Sequence, residues 1–319
     1  MKNISVALRK PLLGLAMFCC LSGLSYAQTV VAPNSSTIPL PLQEAPNGAA
    51  PPGTVGESNA PPAVWNDTYV GYRWGDDFHY PGMSSTIVQN VGYLTTLGGF
   101  RFGSYVFNVE YLVSNAANPE AGGPADGGAQ EVYSVGRVEF SAGKILGHYV
   151  GFGPIRDYGL TVGYEFGTKN DAYAERARMI VIGPTIEFAI PNGFLNLTAG
   201  VRTESNHNGI VGDDVHFNAA WHVESSWLVP FRVGPVPLIF RGFAGLTGPK
   251  GKDGFGVQTT TELITRVALL ADVGSFIGHP RAAYAGIGYE YWYHMYGTPT
   301  TEAPGTITNA PMLMAEFHF

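Results

Sequence analysis

Ionisable side chains occur two residues apart inside otherwise apolar segments of this 319-residue chain. Arg202 and Glu204 form one such pair, and His222 and Glu224 form another. Residues two apart lie on the same face of a β-strand, so the members of each pair should point the same way. Guanidinium, carboxyl and imidazole groups at this spacing could bind a polar solute, move protons or hold a metal ion. The segments that carry them decide among these possibilities.

A metal site is the least supported of these possibilities. His222 and Glu224 would supply only two ligands, whereas zinc sites in proteins use three or four, and no further ligand can be placed beside them. The stretch 248–254 (GPKGKDG) is similar to a phosphate-binding loop, but no Ser or Thr follows Lys252 and no helix is expected after it. We therefore predict no metal, no cofactor and no phosphate site.

The segments around the charged pairs alternate apolar and polar side chains with a period of two, which is typical of strands with one apolar face. Breaks rich in Gly, Pro, Asn and Asp separate them, and the clearest tight turn is at 191–193, where Asn and Gly accept positive φ. Twelve strands are predicted, over residues 68–74, 86–97, 104–114, 131–142, 158–168, 179–190, 194–204, 220–229, 238–247, 261–273, 282–294 and 310–319. In the second strand the side chains expected to face outward are Val91, Tyr93, Thr95 and Leu97.

The composition favours a membrane barrel over a soluble β-sandwich. Hydrophobic residues make up 45% of the chain and charged residues only 13%, where a soluble domain usually has about a quarter charged residues. No apolar run after residue 27 reaches the roughly 18 residues that a membrane-spanning helix needs. We therefore predict an all-β fold, a transmembrane antiparallel β-barrel of twelve strands.

The amino-terminal region is expected to lie outside the barrel. Basic residues precede an apolar stretch that ends in a small-residue cleavage site at Ala27, which predicts a secretory signal peptide over residues 1–27. Residues 28–63 are rich in Pro, Ala, Ser and Thr and are predicted to form a disordered periplasmic leader. The barrel should occupy residues 64–319. Both cysteines lie in the signal peptide, so the mature chain should have no disulfide.

An even number of strands predicts that both termini lie in the periplasm, with the long loops outside the cell. The expected location is the outer membrane of a Gram-negative bacterium, which the chain would cross many times. Loss of the signal peptide removes three positive charges and moves the formal net charge from −7 to −10. This balance argues against a nucleic-acid partner, whose phosphates require a basic surface.

Charges on the inward face are the main functional signal. A charge in hydrocarbon is costly, so these side chains must line water or pair across the lumen. Aromatic rings share this face, and a flat base stacks on a ring with roughly 1–3 kcal/mol. The pattern favours a narrow channel for passive uptake of nucleosides, nucleobases or similar small polar aromatic solutes. The side chains predicted to line the lumen and bind solute are Tyr69, Arg73, Glu110, Tyr133, Arg137, Glu165, Glu187, Arg202, Glu204, His222, Glu224, Arg241, Phe243, Glu262, Arg266, Glu290 and Trp292.

Two alternatives stay open. The inward Arg and Glu residues could brace a closed structural barrel, although twelve strands enclose more room than the eight whose interior side chains can fill. A lipid-hydrolysing barrel would need a Ser nucleophile with a His base on the lipid face. The strand histidines His222, His294 and His318 are expected to face inward, so no enzymatic activity is predicted.

Several segments and the terminal Phe resemble the nucleoside-specific outer-membrane channels of the Tsx-like group. The segments are 65–72, 152–157, 202–211 (RTESNHNGIV), 242–256 (GFAGLTGPKGKDGFG) and 284–292 (YAGIGYEYW). The resemblance implies a monomeric twelve-stranded barrel that takes up nucleosides passively and contacts outer-membrane lipid and lipopolysaccharide. The last strand is similar to the closing strand of bacterial outer-membrane barrels, whose final Phe belongs to the signal read by the barrel assembly machinery.

Deletion of Phe319 should therefore reduce insertion of the barrel into the outer membrane, because the assembly machinery loses part of its signal. The fraction of membrane-extracted chain that shows a heat-shifted band on a gel measures insertion. A Phe319→Trp variant keeps an aromatic terminus and should insert normally. Normal insertion of the deletion variant would contradict this role.

Overall fold

The structure, a computed structural model, describes residues 64–124 and 126–319. The predicted signal peptide and leader lie outside the described residues. The strands are β1 (Trp65–Phe78), β2 (Ile87–Phe100), β3 (Gly103–Ser114), β4 (Gln130–Ser141), β5 (Ile155–Lys169), β6 (Arg178–Phe188), β7 (Phe194–Asn208), β8 (Asp213–His216), β9 (Ala220–Val233), β10 (Val236–Thr247), β11 (Glu262–Asp272), β12 (Ala283–Tyr293) and β13 (Ile307–His318).

Twelve of these strands form a closed antiparallel barrel. Each long strand pairs with the next one along the chain, and β7 pairs directly with β9. The last strand, β13, returns to pair with β1, with Val70 opposite Phe317. The short strand β8 lies outside this count, because it pairs only with the end of β7. The predicted all-β barrel of twelve strands is confirmed.

The two ends of the barrel differ in their connections. Both termini of the barrel lie at one end, where short turns at residues 101–102 and 234–235 join neighbouring strands. We call this the terminal end. Long connections, at residues 115–129, 248–261 and 294–306, lie at the opposite end, which we call the loop end.

The outward face of the barrel is apolar. Along each strand, exposed apolar side chains alternate with buried inward ones, as membrane strands require. A closed antiparallel barrel satisfies every strand-to-strand hydrogen bond internally, so it can carry such a face into lipid. This is the architecture of an outer-membrane barrel. Exposed side chains of this face include Leu94, Phe107, Tyr111, Leu160, Ile182, Val201, Ile287 and Leu313.

The phase predicted for the second strand was wrong. Tyr93 is 8% exposed and points into the barrel, where its hydroxyl donates a 2.6 Å hydrogen bond to Glu316. Leu94, at 43% exposure, faces outward instead. The inward side chains that had been expected outward are Val91, Tyr93, Thr95 and Leu97. Both faces of β2 are largely uncharged, so alternation of polarity does not distinguish them.

Two further boundaries differ from the prediction. The predicted break at 230–237 is reduced to a turn at 234–235, because β9 and β10 continue through Pro230 and Pro237. Each proline lies beyond the point where its strand pairs with a second neighbour, so the missing N–H falls on a free edge. The predicted outer loop 205–219 contains the end of β7 and the whole of β8.

Within residues 64–124 and 126–319, helical structure is confined to short connections. The helix α1 (Ala142–Leu146) follows β4, and the Ser141 side chain caps it by accepting a hydrogen bond from the amide of Lys144. Single 3-10 turns cover Val273–Ile277 and Met295–Gly297. No helix in the described part of the chain is long and apolar enough to cross a membrane.

Apolar and polar groups lie side by side in the interior of the barrel. A cluster of buried rings and aliphatic chains lies on β10 to β13 with β1 and β2, beside charged side chains of the same strands. On β5 to β7 the buried hydroxyls of Thr161, Thr185 and Thr198 are joined by hydrogen bonds of 2.6 and 2.8 Å. The apolar cluster includes Tyr69, Tyr93, Ile239, Leu270, Tyr284, Met312 and Met314.

Replacement of Gly71 by Ala should destabilise the barrel, because a Cβ at Gly71 would lie 2.2 Å from the ring of Tyr93 on the neighbouring strand. Overpacking of this kind costs about 1–3 kcal/mol in free energy of unfolding. Gly92 is a matched control on β2, since a Cβ there meets no atom within 4 Å, and Gly92→Ala should change stability by less than about 0.5 kcal/mol. Urea unfolding in detergent, followed by tryptophan fluorescence, compares the two. Equal midpoints would refute the packing of Tyr93 against Gly71.

Candidate functional site

The structure places every side chain that was predicted to line the lumen on the inward face of its strand. The chain brings many of them into contact, although their role in solute binding stays a prediction. Single carboxylates join different parts of the barrel wall. Glu110 on β3 accepts hydrogen bonds from both Arg73 on β1 and Arg266 on β11. The lumen is therefore crossed by ion pairs.

Arg137 on β4 is the centre of the largest network. Its guanidinium donates to Glu224 on β9 at 2.9 Å and to Glu165 on β5 at 2.5 Å. Its remaining N–H groups reach the carbonyl oxygens of Gly136 and Tyr164 at 3.1 and 3.0 Å. All five N–H groups of this guanidinium thus have acceptors. The pair with Glu224 spans the lumen and narrows it.

Room for this side chain comes from a glycine. A Cβ at Gly163, opposite Arg137 on the neighbouring strand, would lie 2.3 Å from the Cδ of Arg137. A larger residue at Gly163 would push Arg137 away from its partners. The inward glycine is therefore part of the site, although it carries no functional group.

A second group of arginines lies on β10 and β11. Arg266 donates to Glu290 at 2.7 Å and lies 5.4 Å from the ring centre of Phe243. Arg241 donates to the hydroxyl of Tyr69 at 2.8 Å, lies 5.0 Å from the centre of that ring, and forms an ion pair with Glu316. We call the surface formed by Arg241, Phe243 and Arg266 the arginine wall.

Several charged side chains in the middle of the barrel are partly exposed. The side chains of Arg137, Glu165 and Glu224 are 15%, 13% and 19% exposed although they point inward. Those of Arg241 and Arg266 are 16% and 21% exposed. An inward side chain of a closed barrel can be exposed only to space within the barrel, so each of these five residues borders unfilled space. We call this space the central chamber.

The loop end of the lumen is filled. Lys250, in the connection 248–261, turns back into the barrel and its ammonium group lies 2.6 Å from a carboxylate oxygen of Glu204. Both side chains are 4% exposed. Arg202 and His222 bond to the hydroxyl of Thr247 in the same layer, at 3.2 and 2.9 Å. We call the connections 170–177 and 248–261 at this end the loop-end cover.

Predicted lumen residues near the cover are enclosed. Trp292 donates to Glu262 at 2.8 Å, and Tyr133 donates to Glu165. At the terminal end, Glu187 accepts hydrogen bonds of 3.0 and 2.6 Å from Arg156. Several predicted lumen residues are almost fully buried, so their side chains contact other protein groups and not the central chamber. They include Arg202, Glu204, His222, Glu262 and Glu187.

A second buried lysine holds the cover from the other side. The ammonium group of Lys169, at the end of β5, lies 3.2 Å from the ring centre of Tyr80 and 3.2 Å from a carboxylate oxygen of Asp171. Glu131 lies 3.9 Å away. The carboxyl of Glu175 is buried in the same cluster, where burial and the neighbouring Glu131 carboxylate raise its pKa to about 8.

Sequence reasoning missed the residues of the cover. Lys250 lies between two predicted strands, but its side chain points back to Glu204. Lys169 and Glu175 also lie between two predicted strands, and no role was predicted for them. Their partners come from other strands and loops, so no spacing along the chain indicates these contacts.

Comparison with known proteins identifies no family. No family model matches the chain. No curated protein matches it either. The resemblance to nucleoside-specific channels therefore stays a prediction.

Three solved structures of bacterial outer-membrane proteins align with most of this chain. The COG4313 outer membrane channel from Pseudomonas putida F1 is 11% identical, with 83% of this chain and 98% of that chain covered and a TM-score of 0.45. The translocator domain of autotransporter NalP from Neisseria meningitidis is 9% identical, with 79% and 88% covered and a TM-score of 0.40. The NanC porin is 10% identical, with 80% and 99% covered and a TM-score of 0.38. At these values the likenesses carry no argument about the solute, and the barrel fold rests on its own strand pairing.

The loop-end cover should loosen as the pH rises. The pKa of Glu175 is raised from 4.5 to about 8 in the closed cover, so the cover holds a proton that the open form releases between these values. Stability of the cover is thus greatest in acid and declines as the pH rises towards 8. Nicking of residues 170–177 by proteinase K should be several-fold faster at pH 9 than at pH 6, relative to Glu175→Gln at each pH.

The comparison with Glu175→Gln removes the pH dependence of the protease, because glutamine stays neutral and should keep the cover closed. Glu302→Gln, at an exposed loop position, should behave like the unaltered chain. A constant ratio between the unaltered chain and Glu175→Gln across this range would show that Glu175 does not control the cover.

Proposed function

We propose that this protein is an outer-membrane channel for passive uptake of small polar solutes, with nucleosides and nucleobases as the class that the sequence indicates. The observation that carries this proposal is the central chamber. Five ionisable side chains inside the barrel keep 13–21% of their surface accessible. A lumen closed by tightly packed ion pairs would leave no free space beside these side chains, whereas a channel needs such space along its wall.

The chemistry of the chamber suits a flat polar solute. The rings of Tyr69 and Phe243 lie next to the guanidinium groups of Arg241 and Arg266. Aromatic surfaces and hydrogen-bond donors are therefore close together on one wall. A nucleoside matches both, because its base stacks and its sugar hydroxyls bond to charged groups, at roughly 1–3 kcal/mol for each stacking contact. Passage through the barrel requires movement of the loop-end cover, whose connections fill the lumen at that end.

A closed structural barrel is the second candidate, and the loop-end cover together with the pair of Arg137 and Glu224 favours it. We propose transport over hydrolysis, and therefore no enzymatic activity, because a channel uses the ion-paired lumen while a lipid hydrolase does not. We further propose a monomer, with outer-membrane lipid and lipopolysaccharide around it and both termini in the periplasm.

Single-channel recording in planar lipid bilayers tests the proposal. The purified barrel should give current steps that uridine reduces. Replacement of Arg137 by Ala should increase the conductance of each step, because it removes the side chain that narrows the lumen between Glu165 and Glu224. The control is Arg101→Ala, at an exposed turn between β2 and β3, which should leave the conductance unchanged. Absence of current steps, together with absence of uridine flux in liposome swelling, would reject a channel and leave the closed barrel.

A further inference from the structure

The arginines around the central chamber differ in how many of their N–H groups have acceptors. A guanidinium has five N–H groups. Those of Arg137 all reach acceptors. Arg241 uses two, on the Tyr69 hydroxyl and on Glu316. Arg266 uses three, on Glu110 and Glu290. The arginine wall therefore keeps five N–H groups that have no acceptor in the described part of the chain.

The two arginines of the wall are partly exposed to the chamber, whereas the carboxylates that pair with them are almost fully buried. The side chains of Glu316, Glu290 and Glu110 are 0%, 5% and 6% exposed. The arginines in front of them are 16% and 21% exposed. A solute in the chamber therefore meets guanidinium groups on this wall, although the barrel as a whole is acidic.

A ring completes the wall. Arg266 lies over Phe243, which is only partly buried and stands directly opposite it in the pairing of β10 with β11. Arg241 is two residues from Phe243 and faces the same way. An aromatic ring beside one guanidinium, with a second guanidinium two residues along the same strand, fits a flat ring that carries an anionic edge, since the ring can stack while its oxygens accept hydrogen bonds.

We infer that the arginine wall is a binding subsite for small aromatic carboxylates. The inference rests on the proposed channel function and assigns this wall a class of small polar solute other than the nucleosides. A carboxylate accepts charge-assisted hydrogen bonds, which are roughly twice as strong as neutral ones, and guanidinium presents its donors in a fork that matches two carboxylate oxygens. A neutral amide of the same shape offers one acceptor oxygen and brings donors of its own, which meet further donors at this wall.

Isothermal titration calorimetry of the barrel in detergent, with benzoate and benzamide as probes, tests the subsite without the need for conduction. Benzoate should bind at least about 10-fold more tightly than benzamide, which corresponds to about 1.4 kcal/mol. Arg266→Lys and Arg241→Lys keep the positive charge but lose the fork, and each should weaken benzoate binding about 5-fold or more. The control is Arg156→Lys, whose guanidinium pairs with the buried Glu187 at the terminal end, and benzoate affinity should be unchanged.

The folding of each variant is checked by its heat-shifted gel band, and lysine retains the ion pairs with the buried carboxylates. Equal affinity for benzoate and benzamide would overturn the subsite, and so would equal losses in Arg266→Lys and Arg156→Lys. Binding of uridine in preference to benzoate would overturn it while leaving the channel intact. Benzoate binding without any conductance would instead keep the subsite and reject the channel, so the two failures are distinguishable.

Discussion

The cost of a carboxylate inside a narrow membrane barrel shapes this structure more than any other constraint. A buried charge without a partner costs several kcal/mol, and most strands of this barrel carry an acidic side chain on the inward face. Pairing between adjacent strands, as between Arg266 and Glu290, meets only part of this need. Glu110 on β3 takes Arg73 from β1 and Arg266 from β11, and Arg137 on β4 takes Glu224 from β9. The ion pairs thus connect walls that the hydrogen-bond ladder does not connect, so the lumen is held narrow by side chains as well as by strand number.

Long inward side chains also need space, and glycines on neighbouring strands provide it. Arg137 lies over Gly163, and a Cβ there would be 2.3 Å from its side chain. Tyr93 lies over Gly71 in the same way, and the sulfur of Met314 lies 2.6 Å from where a Cβ on Gly288 would be. Each pairing sets a large residue against the smallest one. The interior can therefore hold arginines and rings at the same level without widening the barrel.

Much of the fold could be predicted from the sequence, because lipid imposes an apolar face and alternation reveals it. The twelve strands and their inward charges follow from this rule, down to Arg266 and Glu290 on adjacent strands. The rule fails where polarity does not alternate, as on β2, where Tyr93 turns inward to reach Glu316. Alternation along a strand also gives no information about the loop-end cover, because the contact of Lys250 with Glu204 depends on how a loop folds back over the lumen. Strand phase can be read locally, whereas loop placement is a property of the assembled barrel.

The pairing constraint also determines what the lumen offers to a solute. Each buried carboxylate needs a cationic partner, and a guanidinium brings five N–H groups to that partnership. Where carboxylates and carbonyls surround the arginine, as at Arg137, every donor has an acceptor and the residue braces the barrel. Where the acceptors lie only behind it, as at Arg241 and Arg266, donors remain on a guanidinium that is partly exposed to the chamber. An acidic barrel therefore presents a donor-rich surface inside, because neutralising its carboxylates leaves more donors than acceptors. Stability and the proposed solute preference thus have one physical origin, and the position of the acceptors separates the fully paired Arg137 from Arg241 and Arg266.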